Sequence, residues 1–335
     1  MNPNPTGSDP IAHIPVLFQS VLHWMQPAAG RKFVDGTVGG GGHAEGLLAG
    51  GGQVLGLDRD ADAIAIAGRR LAGFGERVIL RQASYRRAGE ILREIGWNAV
   101  DGILLDLGLS SLQLADPERG MAFRNDGALD MRFDRSGGET AADLLNTLPV
   151  EELARILFEY GEEPAARKIA QVIVRNRPMR TTRALAELVA AATGYRGRGA
   201  GTAHPATRTF QALRIAVNHE LEELENALPQ LLEFLVAGGR LAVITFHSLE
   251  DRLVKRAMRE ACGKPWRRGV RTPPYATPPQ PAFRDLTIKP VVPDQDEITK
   301  NPRSRSAKLR VVEKIPSGES GMTAEKAGRP AVRIR

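Results

Sequence analysis

The feature that most constrains the fold is a glycine run where a short apolar stretch meets helical sequence: Val34-Asp35-Gly36-Thr37-Val38-Gly39-Gly40-Gly41-Gly42-His43. Four consecutive glycines extend neither a strand nor a helix well, because glycine loses the most conformational freedom on ordering. They can turn the chain sharply and bring main chain against a ligand. Gly39-Gly40-Gly41-Gly42-His43-Ala44 also fits the looser dinucleotide pattern G-x-G-x-x-A. A tight strand–helix turn with no ligand would use the same residues, so the loop alone names no cofactor.

The surrounding sequence supplies the frame. Residues 31–36, 53–58, 77–82 and 100–106 are short, nearly continuous apolar runs, as expected of strands buried on both faces of a parallel sheet. Residues 60–72 and 85–96 between them read as helices. That alternation predicts an α/β fold with a doubly wound, mostly parallel sheet. From 110 to about 226 the strand signal disappears, and helices are predicted at 150–160, 163–176, 182–193 and 208–235. It returns at 238–246 and 307–313. The expected organisation is a sheet domain in two pieces, 13–112 and 227–313, interrupted by an all-helical substrate-recognition insert at 113–226. Residues 1–12 are expected to be a flexible N-terminus, 265–302 an irregular proline-rich segment, and 314–335 a disordered tail.

Acids at strand ends narrow the ligand. Asp58 closes the second strand, nineteen residues beyond Gly39, where a carboxylate can accept both ribose hydroxyls of a nucleoside. NAD and S-adenosylmethionine both use this arrangement. Asp35 directly before the loop and Asp106 at the end of the fourth strand favour the methyl donor. An NAD-dependent oxidoreductase on the same loop stays open, as do a non-catalytic RNA-binding protein and a methyltransferase acting on DNA or another RNA.

Charge and composition bound the setting. One cysteine, Cys262, permits no internal disulfide and no cysteine-based zinc cluster, and no metal is expected. No apolar run approaches the roughly 20 residues of a membrane-spanning helix, and residues 1–10 lack the apolar core of a signal peptide. A soluble, cytoplasmic protein without an obligate protein partner is expected. Residues 164–214 hold ten basic residues against one acid, a distribution suited to a polyanion. Arg175, Arg177, Arg180, Arg196 and Arg198, with Lys255 and Arg256 of a second basic run, are the candidate RNA contacts, although a solvated helix face would show the same charge.

Several ordered motifs carry a more specific resemblance. They include Asp35-Gly36-Thr37 with Gly40-Gly41-Gly42-His43, Leu57-Asp58-Arg59-Asp60, and Leu104-Leu105-Asp106-Leu107-Gly108 with Ser110-Ser111. Further on come Arg119-Gly120-Met121, Leu129-Asp130-Met131-Arg132, Thr209-Phe210-Gln211-Ala212-Leu213-Arg214 with Asn218, Phe246-His247-Ser248-Leu249-Glu250-Asp251-Arg252, and Asn301-Pro302-Arg303-Ser304. Over residues 13–313 the chain resembles the ribosomal RNA small-subunit methyltransferase H family, the MraW type. The resemblance implies a class I (Rossmann-like) S-adenosylmethionine-dependent fold with an inserted helical domain. It implies methyl transfer to the exocyclic N4 of a cytidine in 16S rRNA, at the decoding centre of the small ribosomal subunit. It assigns the donor to Gly41, Gly42, His43, Asp58, Tyr85 beside the adenine, Asp106 and Gln113. The Pro-Pro-aromatic motif by which many amino-methyltransferases grip the amine is absent after Asp106. Asp106 is therefore expected to serve both donor and amine. His247 is a second catalytic candidate, set against a plainer role for His247 and Ser248 in capping the helix that follows.

Overall fold

The computed structural model describes residues 15–195, 204–264 and 281–316. Its sheet has seven strands: β1 (Lys32–Asp35), β2 (Gln53–Asp58), β3 (Val78–Gln82), β4 (Val100–Asp106), β5 (Leu235–Thr245), β6 (Phe283–Asp285) and β7 (Lys308–Lys314). They lie in the order β3-β2-β1-β4-β5-β7-β6. β1 to β5 pair in parallel, β7 runs antiparallel to β5, and β6 antiparallel to β7. The chain order reverses between β1 and β4, so a ligand crevice is expected outside their carboxyl ends.

The apolar strand runs follow from cover on both faces. α1 (Phe18–Met25), α2 (Gly42–Ala49) and α3 (Ala61–Leu71) pack on one face, where Val21, Leu47, Leu48 and Leu71 share a core with Phe33, Leu104 and Ile244. α4 (Ala88–Glu94) packs on the other. After β4 come α5 (Ser111–Ala115), α6 (Ala141–Thr147), α7 (Val150–Gly161), α8 (Ala166–Arg175), α9 (Thr182–Thr193) and α10 (Ala206–Asn218). α6 to α10 enclose a core of their own, from Met121 to Leu213. On α7 it takes Leu153, Ile156 and Leu157, the residues whose helical spacing marks one face. α11 (Glu220–Glu233) and α12 (Ser248–Ala261) return to the sheet, and α13 (Gln295–Lys300) precedes β7. Among the described residues no helix is long and apolar enough to cross a membrane.

Four sequence expectations need correction. The single helix predicted at 208–235 is two, because His219 adopts a left-handed conformation (φ 52°) that ends α10 before α11 begins. The domain boundary at 226 therefore falls inside α11, whose Leu224, Leu228 and Leu231 are buried in the sheet's core. Each such burial stabilises the fold by about 1.5–3 kcal/mol, which binds α11 to the sheet rather than to the insert. In the proline-rich segment, residues 265–280 lie outside the described residues, but residues 281–302 hold β6 and α13, the latter capped by the Asp294 side chain accepting from Glu297 N. The expected tail begins too early: Lys314 ends β7 and Ile315 N donates to Ala282 O at 2.9 Å. Residues 1–12 and 317–335 lie outside the described residues.

Candidate active site

The site is built where β1, β2 and β4 end. Each finishes in an aspartate, so Asp35, Asp58 and Asp106 meet at one edge of the sheet. The glycine loop crosses that edge and is held to it: Val38 N donates to Leu57 O at 2.8 Å and Gly39 N to Asp58 Oδ2 at 2.9 Å. Asp60 N donates to the other Asp58 oxygen at 2.9 Å. Both Asp58 oxygens thus accept main-chain amides, and each keeps a second lone pair for a ligand hydroxyl. Burial raises the Asp58 carboxyl to about 6 against these hydrogen bonds, with the Asp60 charge adding to the rise. Burial raises Asp35 to about 7, partly offset by the amide of Thr37 and reinforced by the charge of Asp58.

Asp106 ends β4 with one carboxylate oxygen unengaged among the described residues. Its amide donates to Thr37 Oγ1 at 2.6 Å, fixing the strand end. Among the described residues its buried Oδ1 has no hydrogen-bond partner. Its Oδ2 lies 3.6 Å from His43 Nδ1. Burial, then the charges of Asp35 and Glu250, push its carboxyl well above the ordinary range. His43 is 5% exposed, and its Nε2 lies 3.0 Å from Val16 O. A carbonyl only accepts, so Nε2 carries a hydrogen and Nδ1 is the atom turned to Asp106.

The glycines also seat the loop against its own scaffold. Gly39 and Gly41 have positive φ (50° and 83°), open to residues without a Cβ. The Gly41 amide closes the loop on Val38 O at 2.7 Å. A Cβ on Gly41 would lie 3.3 Å from Leu71, and one on Gly42 2.5 Å from Pro15 Cγ. Their bare backbones let the loop seat against its own scaffold. Tyr85 stands over the same edge, its Cβ 2.9 Å from where a Gly36 Cβ would be. Burial, with the charges of Glu220, Glu223 and Glu250, pushes its hydroxyl upward.

Two expected residues also serve the scaffold. Gln113 Nε2 donates to Asp60 Oδ2 at 3.0 Å and its Oε1 accepts Ser110 N at 3.1 Å, so its amide buttresses Asp60 and caps α5. His247 caps α12, the plainer of its two roles. Its Nε2 lies 3.1 Å from Glu250 Oε1, while Glu250 Oε2 accepts the amides of Phe246 and His247. Burial works to raise Glu250, but hydrogen bonding from His247 and the charges of His247 and Arg214 outweigh it and hold the carboxyl low.

The candidate RNA residues divide likewise. Arg175, Arg180 and Lys255 are exposed. Arg177 is not a free cation: its Nε donates to Leu145 O at 2.6 Å and its Nη2 to Leu148 O, stapling the end of α6. Arg256 is paired with Glu225, and Arg214 is bidentate to Glu220 and largely buried. Arg196 and Arg198 lie outside the described residues. Sequence reasoning gave no role to Asp60, Arg119 or Asn218, which join the insert to the strand end; their only signal was membership in the ordered motifs.

Residues 10–315 match the family model described as the MraW methylase family. The ribosomal RNA small subunit methyltransferase H of Oleidesulfovibrio alaskensis is 49% identical over 312 residues, covering 91% of this chain and 95% of that protein. The protein of the same name from Heliobacterium modesticaldum is 49% identical over 314 residues, covering 90% and 98%. A solved rRNA methylase from Streptococcus thermophilus aligns over 91% of this chain and 99% of that one, with a TM-score of 0.40 and 12% identity.

Proposed function

The chain belongs to the MraW methylase family, and from that premise we propose that it methylates the exocyclic N4 of a cytidine in 16S rRNA, at the decoding centre of the small ribosomal subunit. The strand order is that of class I methyltransferases, and the methyl donor is S-adenosylmethionine. The naming of the relatives supports rRNA of the small subunit as substrate; the cytidine N4 rests on the family resemblance.

The residues present fit the donor. Asp58 offers lone pairs on both oxygens to ribose hydroxyls, and Tyr85 offers a flat apolar face to the adenine. S-adenosylmethionine supplies a cationic sulfonium with a transferable methyl. Asp35 and Asp106 sit at the same edge as buried carboxylates, whose unfavourable ionisation a cation would relieve.

The observation that carries the reading is the unpartnered Asp106 Oδ1. An exocyclic cytosine amine is a poor nucleophile because its lone pair is delocalised into the ring. An acceptor in line with one N–H holds the amine in place and draws the hydrogen as the nitrogen attacks. Asp106 Oδ1 is that acceptor, and it takes up the proton that leaves the amine, with His43 Nδ1 3.6 Å from the other carboxylate oxygen. Glycine follows at Gly108, where other amino-methyltransferases carry a Pro-Pro-aromatic grip, so the carboxylate does the holding. Asp106→Asn tests this: S-adenosylhomocysteine affinity is expected to stay within a few-fold, while turnover falls about a hundredfold or more, the usual range for general acid–base catalysis. Full turnover by this variant would contradict the assignment.

A further inference from the structure

Asp58-Arg59-Asp60, at the end of β2, is also the joint between the sheet and the insert. Arg59 Nη1 donates to Asn218 O at 2.7 Å, where α10 leaves the insert. Asp60 accepts Arg119 Nη2 at 2.6 Å on one oxygen and Gln113 Nε2 at 3.0 Å on the other, where the chain enters the insert. Arg119 also reaches Asp62 at 2.9 Å and, through Nη1, the carbonyls of Arg132 and Phe133. The same loop is clamped from its other side, since Asn218 accepts Phe133 N and donates to Met131 O. Entry, exit and one internal loop of the insert are therefore gathered on the two residues after the donor carboxylate.

The Arg119–Asp60 pair is almost wholly buried, at 3% and 4% exposure. Removing two charges from water costs about as much as their attraction returns, so such a pair is poorly explained by stability, whereas fixing a register is a well-attested use. The planar guanidinium suits that role, because its fork bridges two carboxylates and two carbonyls in one fixed geometry. The route to the donor is short: the Asp60 amide donates to Asp58 Oδ1 at 2.9 Å.

We propose that Arg119 is a positioning residue that, by gripping Asp60, aims Asp58 at the donor ribose and sets the insert in register with the donor crevice. The proposal rests on the donor-binding reading above.

The test is calorimetric titration of S-adenosylhomocysteine into full-length wild type, Arg119→Lys, Asp60→Asn and the Asp60→Asn/Arg119→Lys double variant, with melting curves for each. Asparagine can still cap α3, where Asp60 Oδ1 accepts Asp62 N, so Asp60→Asn removes the charge and keeps the cap. Arg119→Lys and Asp60→Asn are each expected to bind about tenfold more weakly, with a raised donor KM, and the two losses are expected not to add. Arg177→Ala, which removes bonds to Leu145 O and Leu148 O but touches neither Asp60 nor Arg119, should melt earlier yet bind normally. Arg119→Lys binding within twofold of wild type overturns the proposal. Should that variant fail to fold, normal binding by Asp60→Asn or by the double variant overturns it equally. Wild type that binds no S-adenosylhomocysteine would instead refute the donor reading itself.

Discussion

Asp35 is the residue whose replacement speaks most directly to the electrostatics of the site. It is 1% exposed and accepts a main-chain hydrogen bond from Thr37 N at 3.3 Å. Burial lifts its carboxyl from an ordinary 3.8 to about 7, against the Thr37 bond and with help from the Asp58 charge. At about 1.36 kcal/mol per pH unit, ionising Asp35 in the folded chain costs about 4 kcal/mol. Because the folded state holds the proton more tightly than the unfolded state, the cost is absent below pH 3.8, grows as pH rises, and is complete above pH 7. Asparagine can keep the Thr37 bond through its carbonyl and has no charge to bury. Any cost of its extra N–H groups shifts the whole curve without changing its dependence on pH. Asp35→Asn is therefore expected to gain on wild type by up to about 4 kcal/mol between pH 4 and pH 8, measured by urea unfolding without donor at several pH values. The same variant should lose more affinity for S-adenosylmethionine than for S-adenosylhomocysteine, since only the former is cationic. A difference between variant and wild type that stays constant within about 0.5 kcal/mol from pH 4 to pH 8 would refute the reasoning.

Three further outcomes follow from contacts already described. Gly42→Ala places a methyl 2.5 Å from Pro15 Cγ, and overpacking of this kind costs about 1–3 kcal/mol, visible as a lower melting temperature. Arg177→Ala is expected to lower the melting temperature while leaving the salt dependence of RNA binding unchanged, because the guanidinium serves Leu145 O and Leu148 O. Arg175→Ala with Arg180→Ala is expected to leave stability alone and to flatten the slope of log affinity against log salt by about 1–2, on filter-binding titrations. An unchanged slope would remove those two residues from the RNA surface.

The parts of this molecule written in local sequence were legible in it. The glycine loop, the apolar strands, the acids that end them and the face of α7 depend on neighbours a few residues away. What the sequence hid depends on partners far along the chain. Arg177, Arg214 and Arg256 count as positive charge in any composition window, yet one is spent on main-chain carbonyls and two on Glu220 and Glu225. Gln113 matches a donor-pocket position by motif, but its amide is taken by Asp60, 53 residues away. The break between α10 and α11 turns on one left-handed histidine within otherwise continuous helical sequence. His247 had two readings of equal weight: it caps α12 through Glu250 N, while its buried Nε2 has no hydrogen-bond partner among the described residues. Gly41 and Gly42 also pack against Leu71 and Pro15, which sequence spacing does not bring together.

The central claim is tested most directly by locating the methyl. The protein is incubated with labelled S-adenosylmethionine and, separately, with unmethylated 16S rRNA, small subunits and whole ribosomes, and the RNA is digested and analysed by mass spectrometry. The expected result is label in N4-methylcytidine at a single position of the small-subunit RNA in at least one of these substrates, lost with Asp106→Asn. Label confined to another base, or no N4-methylcytidine in any sample, would contradict it.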